Sequence, residues 1–384
     1  MPIKPRSISS RDARPALIAA LSGRALAAAA ARAGERAIVL DLFADRDTAK
    51  HAAACLAVPR GPNGFARARL LAATARHAGA VRGLVYGAGF EHAPRLLAEM
   101  ARLVPLLGNA PETVAAAKDP LAFAALLERL GLPHPPTTRT PPGEDGWLRK
   151  QVGGSGGGHV APANADAADR DDGVYFQRRV AGHPVSAAFL ADGRSAQVLG
   201  FTEQWSAGDG AAPFRYGGCA GPVQPSPALA AALGEACRAV AAALGLVGLN
   251  SLDLLVDGER FHAIEINPRP GATLDIFDGR GGVSLWRLHL DAVAGRLPPV
   301  APEVTVAARA AAVVYAPERV VIPAAMPWPV WAADRGADGT VIDRGEPVCT
   351  VRARAATATA ARAAVERRAA RLLAQLAAGR YPGA

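Results

Sequence analysis

The chain has 384 residues, room for roughly two to three domains and a large buried core, so a peptide-like or fibrous protein is excluded. Half of the residues are hydrophobic and 20% are charged, and the 40 glycines and 31 prolines follow no three-residue period, which excludes disorder and collagen. The formal net charge is +9, but only Lys4, Lys50, Lys118 and Lys150 are lysines among 43 basic residues. So skewed a ratio points to a bias of the whole coding sequence. The charge then argues for local pockets that attract acidic small molecules, and no nucleic-acid partner is expected.

Cys55, Cys219, Cys237 and Cys349 lie far apart, with no CxxC and no Cys/His spacing that closes a zinc site, and read as reduced cytoplasmic thiols. The basic start before Ala16 to Leu21 imitates a signal peptide, but Arg24 and Arg32 interrupt it. No apolar run reaches the roughly 18 residues a membrane-spanning helix needs, so no membrane partner is expected.

In chain order, the pattern predicts a strand at Ala16 to Leu21, a Ser22-Gly23 turn, a helix to Arg32 stopped by Gly34, and a strand at Ala37 to Leu42. A third strand, Val81 to Tyr86, ends in Gly87-Ala88-Gly89 and precedes a helix from Ala93 to Leu103. This alternation predicts a parallel sheet. Ser22-Gly23 and Asp41 have the spacing of a dinucleotide site, but GxGxxG is absent, which favours plain βα turns. Helices are expected at Pro111 to Lys118 and Pro120 to Leu130, and an extended connector at Pro133 to Pro142. Strands follow at Trp147 to Val152, Val174 to Val180 and Val185 to Leu190, then a helix at Ala228 to Leu244 and a hairpin at Asn250 to Asn267. A β-rich tail (Val304 to Val314, Thr340 to Val351) and a helix at Thr359 to Leu376 complete the chain.

The hairpin carries the strongest signal. Leu252, Leu254 and Val256 share one face and Ile264 and Ile266 another; pairing these faces collects Asp253, Glu265 and Asn267 on the opposite side. An odd loop, Asp257-Gly258-Glu259, would set Asp253 diagonal to Glu265 at roughly 7 to 8 Å. Two carboxylates and an amide oxygen suit Mg²⁺, and Arg269 continues the face as a cation for phosphate or carboxylate charge. A solvated strand face carries the same residue types, so the hairpin alone leaves both readings open. Arg149-Lys150-Gln151 before GGSGGG adds a cation and a run of amides able to fold around phosphate, although a mobile surface turn has the same composition and no P-loop order is present. In a chain that otherwise uses arginine, Lys118 and Lys150 mark positions that need a slim point charge.

These pieces, in this order, resemble the ATP-grasp superfamily over roughly residues 14 to 300. The resemblance rests on GNAPETVAAAKDPLAFAALLERLGLPHPPT, WLRKQVGGSGGGHV, YFQRRVAGHPVS and LDLLVDGERFHAIEINPR. It implies an α/β and α+β fold: a Rossmann-like domain at 1–110, a nucleotide-binding subdomain with the glycine loop at 111–180, a metal and catalytic subdomain at 181–300, and a β-rich region with a terminal helix at 301–384. It implies ATP and Mg²⁺, two ions, as cofactors. Lys118 and Lys150 would contact phosphates, Gly153, Gly154, Ser155, Gly156 and Gly157 would close over them, and Gln177, Arg178 and Val180 would offer the hinge to adenine. Asp253, Glu265 and Asn267 would hold the metal, and Arg269 would act catalytically. Where many members have a hinge glutamate for the ribose, this chain has Pro184.

The implied reaction is ATP-dependent carboxylate–amine ligation through an acyl phosphate, with small-molecule carboxylate and amine partners, in the cytoplasm, in a chain that forms homodimers as family members often do. EINPRPGATLDIF is similar to ligases related to the tyramine–glutamate ligase of methanofuran-type coenzyme synthesis. The alternative is bicarbonate phosphorylation of the biotin carboxylase or aminoimidazole ribonucleotide carboxylase type, to which GEPVCTVRARAATATAARAAVERR gives support. A nucleotide sensor or a basic nucleic-acid binder is the reading from another class.

Overall fold

The computed structural model describes residues 14–61, 64–163, 173–279, 282–299 and 307–378. Near the N-terminus, strands Leu17–Ala19, Ile38–Asp41 and Leu84–Tyr86 are short and fully buried, as expected for a parallel sheet covered by helices. They form a four-stranded sheet with Ala54–Ala57 at one edge, all neighbours parallel. The edge strand, absent from the expected elements, is apolar in sequence although its ACLA residues are half-buried or exposed. Ser22-Gly23 is a tight βα turn: the Gly23 amide donates to Asp41 Oδ2 at 2.9 Å, and a Cβ there would stand 2.3 Å from Val39 Cγ1.

A small antiparallel sheet follows, in the order Thr137–Thr138, Val174–Arg178, Trp147–Gln151, Ala161–Pro162. The largest unit is an eight-stranded sheet: Arg260–Asn267, Val247–Asp257, His183–Asp192, Ala196–Ser206, Tyr216–Val223, Ala308–Tyr315, Pro347–Ala355 and Ala332–Ala333, with antiparallel pairing throughout. Two of its central strands, Ala196–Ser206 and Tyr216–Val223, were not expected from the pattern. Gly200, Gly217, Gly218 and Gly221 leave gaps in the alternation, and register shifts at Phe201/Glu203 and Trp205/Ser206 break its period.

One face of this sheet buries Phe189, Leu252, Leu254 and Ile266 under the helix Pro227–Leu244, which contributes Leu229, Leu233 and Val240. The other face turns Ala188, Leu190, Leu249 and Ala311 toward the N-terminal sheet and its helix Arg24–Arg32. Strands from both sides of the expected boundary at 300/301 share this sheet, since Gly218 pairs with Ala312 and Ala312 with Val351. Of the expected tail strands, residues 304–306 lie outside the described residues. Thr340 to Val351 divides into Val341–Ile342, paired with Val320–Val321, and the longer Pro347–Ala355. The last helix, Ala358–Ala378, covers Ala310, Val351 and Ala353.

Two contacts seat the N-terminal sheet on the hairpin end of the large one. The Asn109 amide donates to Asn250 Oδ1 and to the Pro268 carbonyl, both at 2.9 Å, and accepts from the Val247 amide at 2.8 Å. Buried His289 accepts from the Leu249 amide at 2.9 Å through Nδ1 and donates to the Leu107 carbonyl at 2.8 Å through Nε2.

Candidate active site

The hairpin Val247–Asp257/Arg260–Asn267 turns over two residues, Gly258 and Glu259, and carries a bulge. Beyond the turn Asp257 faces Arg260 and Leu254 faces Ala263; then the register shifts, and Asp253 faces Glu265. The expected odd loop and diagonal placement are therefore corrected: the extra residue is Ile264 in the strand, and the two carboxylates are direct cross-strand partners, about 4.5 to 5.5 Å apart between Cβ atoms by ladder geometry. Ile264 does not join Ile266 in the core. It lines a cleft together with Glu265, because the bulge sends two successive side chains to one side of the strand.

Lys118 closes this cluster from the helix Pro111–Lys118, its ammonium donating to Glu265 Oε1 and, at 3.0 Å, to Asn267 Oδ1. Ser186 donates to Asp253 Oδ1 at 2.6 Å, and Asn267 Nδ2 donates to Asp253 Oδ2 at 2.9 Å, which leaves the Asn267 oxygen facing the cations. Burial, reinforced by Glu265, pushes the Asp253 carboxyl up to about 6. Burial also works to raise Glu265, but Lys118 outweighs it and holds that carboxyl below the usual range. Two facing carboxylates and an amide oxygen, the first raised by burial and by its neighbour's charge, fit a hard divalent cation.

Lys150 is 8% exposed on the strand Trp147–Gln151, and its ammonium donates to Gln177 Oε1 at 2.6 Å. Burial draws it below its ordinary value against the opposing pull of Glu265 and Asp253. Gly153 and Gly154 line a narrow cleft with Lys118, Gln177 and Glu265, while Ser155 and Gly156 line a larger cavity beside it. Glycine at 153 and 157 is required by close approach as well as by φ of +68° and +69°: a Cβ would stand 2.5 Å from the Glu91 carbonyl oxygen and 2.0 Å from that of Phe214. A loop of this composition is expected to be mobile; here the Tyr216 amide donates to the Gly156 carbonyl at 2.8 Å.

The remaining hinge residues sit apart from the cleft. Arg178 lies over Trp147 at 5.7 Å and donates to Glu144 at 3.0 Å, and its amide donates to the Pro136 carbonyl at 2.9 Å. Neither Arg178 nor Val180 lines the cavity wall, and Pro184 is an exposed ladder residue opposite Leu255.

Arg269 follows the hairpin and stays on its polar side. Its Nε donates to Glu91 Oε1 at 2.7 Å. Glu91 comes from the N-terminal unit, 3% exposed, and accepts the amides of Gly89 and Phe90 at 2.7 and 3.0 Å. Burial opposes its ionisation; Arg269, Lys118 and the Gly89 amide prevail and bring it down to about 2. Sequence reasoning passed over Glu91, although its place just beyond the end of a parallel strand is where open α/β sheets put ligands. It also passed over Arg24, a cation at a helix N-terminus, against the helix dipole. Arg24 is fixed there by Asp275 at 2.5 and 2.6 Å and by Asp334 at 3.0 Å.

Asp253, Glu265, Asn267 and Arg269 form one wall of a cavity of about 430 Å³, which Arg24, Ala88, Tyr216 and Ala311 help to enclose. Glu265 belongs to both the narrow cleft and this cavity.

Residues 117–273 match the ATP-grasp domain family. The carbamoyl phosphate synthase large chain of Rubrobacter xylanophilus is 26% identical over 236 residues, covering 54% of this chain and 22% of that protein. The chain thus spans about a fifth of the length of the curated relatives it matches. Among solved structures, biotin carboxylase from Campylobacter jejuni superposes with a TM-score of 0.67 at 15% identity, over 91% of this chain and 89% of that one. The L-amino acid ligase of Bacillus licheniformis gives 0.67 at 15% identity, over 92% and 97%. The lysine strand followed by a glycine loop and the hairpin with facing carboxylates both lie within the segment 117–273 that is similar to the ATP-grasp domain.

Proposed function

We propose that the protein is an ATP-dependent carboxylate–amine ligase. ATP binds in the narrow cleft, a substrate carboxylate in the larger cavity takes the γ-phosphoryl group, and an amine displaces phosphate from the acyl phosphate, so that ADP and phosphate are released. The observation that carries this reading is the position of Glu265, which lines both spaces at the point where a phosphoryl group would pass between them.

In-line phosphoryl transfer asks for positioning and charge neutralisation more than for a protein nucleophile. Lys118 and Lys150 supply point charges to the phosphates, and the glycine loop supplies amides. Asp253, Glu265 and Asn267 are the residues for Mg²⁺, two ions on this reading; the metal when bound neutralises phosphate charge. Lys118 then leaves Glu265 for the nucleotide. Arg269, held by Glu91, faces the cavity and stabilises the charge of the transferred group. A cavity of about 430 Å³ with apolar as well as charged walls supports an organic acid over bicarbonate alone. An amino acid such as glutamate, added during coenzyme synthesis, suits a cavity that presents both guanidinium and carboxylate groups.

The test is phosphate release from ATP and Mg²⁺ with pooled carboxylates crossed with pooled amines, bicarbonate in a separate arm, and mass spectrometry of each positive. A product with the mass of acid plus amine less water is expected. Release that depends on bicarbonate and on no amine would overturn the ligase reading in favour of carboxylation.

A further inference from the structure

On the far side of the short helix Leu274–Phe277, the C-terminal strands and last helix border an open surface cavity of about 510 Å³, within the size range of small-molecule sites. Five arginines line it: Arg32, Arg309, Arg352, Arg354 and Arg368. A recess that shares Trp331 and Arg368 with it adds Arg367 and Arg371. The abundance of arginine in the chain explains why these cations are arginines; it does not explain their convergence on one cavity.

The sheet register makes the concentration of charge specific. Arg309 stands directly opposite Arg354, and Arg352 lies on the same face two residues along. Like charges placed opposite each other in a ladder destabilise it unless an anion intervenes. The two carboxylates in the cavity wall are already engaged: Asp278 with Arg32 and with the Leu285 amide at 2.8 Å, and Asp275 with Arg24. Among the described residues, no carboxylate lies within ion-pair distance of Arg352, Arg354 or Arg368. Arg368 lies 5.4 Å from the centre of the Trp331 ring and donates to the Arg352 carbonyl, which fixes one guanidinium at the rim.

We propose that this cavity is an anion-binding site, separate from the nucleotide cleft, for a small molecule that carries two or more phosphate or carboxylate groups. Residues 352 and 354 are spaced about 7 Å along one strand face, so two anionic groups at that separation can each meet a guanidinium fork. The Arg309 guanidinium, which donates to the Asp278 carbonyl at 2.7 Å, lies across the strand pair and completes the basic floor.

Citrate and inorganic pyrophosphate, titrated calorimetrically into the full chain without Mg²⁺ or nucleotide, separate carboxylate from phosphate recognition. The wild type, Lys150→Ala and the double variant Arg352→Ser/Arg354→Ser are compared, with Arg354→Gln alone as the milder change if the double variant folds poorly. At least one probe is expected to bind the wild type and Lys150→Ala alike, and about tenfold or more weakly to the double variant, whose thermal midpoint is not lowered. Equal binding by the arginine variants, loss of binding in Lys150→Ala alone, or no binding of either probe at millimolar concentration would each overturn the proposal. None of these readouts depends on ligase activity, so failure here leaves the assignment of the nucleotide cleft untouched.

Discussion

Arg269 Nε donates to Glu91 Oε1 at 2.7 Å, and this ion pair spans the seam between the carboxylate hairpin and the N-terminal sheet with both side chains largely out of water. Glu91 is held by two backbone amides, so it fixes the guanidinium and is not free to follow it. Glu91→Gln keeps the shape and removes the charge; phosphate release is expected to fall about tenfold or more with little change in the KM for ATP. Glu91→Ala leaves a buried guanidinium without its carboxylate and is expected to cost about 3–5 kcal/mol in urea unfolding. With its carboxyl at about 2, Glu91 stays ionised across neutral pH and contributes no limb to a pH–rate profile there.

The metal role proposed for Glu265 is joined to a structural one, because its carboxylate receives the Lys118 ammonium. Glu265→Gln is expected to reduce phosphate release below detection. Unlike a change at a solvated ligand, it also leaves a buried lysine with a neutral partner, and a stability loss of about 1–3 kcal/mol is expected. Calorimetric Mg²⁺ titration in the presence of ADP checks the first part, and urea unfolding the second. Wild-type turnover by this variant would remove the metal assignment.

The glycine loop makes a graded prediction. Gly153→Ala meets the Glu91 and His92 backbone at 2.5 Å, and Gly157→Ala meets the Phe214 carbonyl at 2.0 Å. Gly156 has a φ of +71° but open space around its Cβ position. Steady-state kinetics should show the KM for ATP raised about tenfold in Gly153→Ala and Gly157→Ala. Gly156→Ala should lose only the roughly 1 kcal/mol of an unfavourable backbone region. Equal effects at all three positions would show that flexibility, and not close packing, sets the requirement.

His289 supplies a pH test of the seam. Burial lowers its pKa to about 4, although its bond to the Leu107 carbonyl works the other way. The neutral ring is needed in the fold, since Nδ1 accepts from the Leu249 amide. The unfolded chain takes up this proton near pH 6.5, the folded chain only near 4. Stability from this group is therefore complete above pH 6.5, falls as pH drops, and is exhausted below 4, an effect of about 3 kcal/mol. In denaturant titrations from pH 7 to 4, the stability gap between wild type and His289→Gln should shrink. A constant gap would mean that the histidine is not held neutral.

What the sequence determined by itself was local and periodic. Apolar runs marked the buried parallel strands, Pro111 and Pro120 marked two helix starts, and the alternation around Asp253, Glu265 and Asn267 collected the three residues on one face. The lysine count singled out Lys118, which lines the narrow cleft from a helix, and Lys150, which reaches Gln177 in the wall of that cleft from a strand. Those inferences needed only side-chain period, turn chemistry and the scarcity of one residue type.

Tertiary structure decided the rest. No period reveals a bulge, so only the folded hairpin shows Asp253 directly opposite Glu265 and Ile264 turned into the cleft. Glu91 and Arg269 lie 178 positions apart in the chain, and nothing local to either predicts their ion pair. The strands Ala196–Ser206 and Tyr216–Val223 owe their place to ladders on both sides, which override their glycines. The convergence of Arg309, Arg352 and Arg354 on one cavity likewise follows from strand register, a long-range property that composition does not contain.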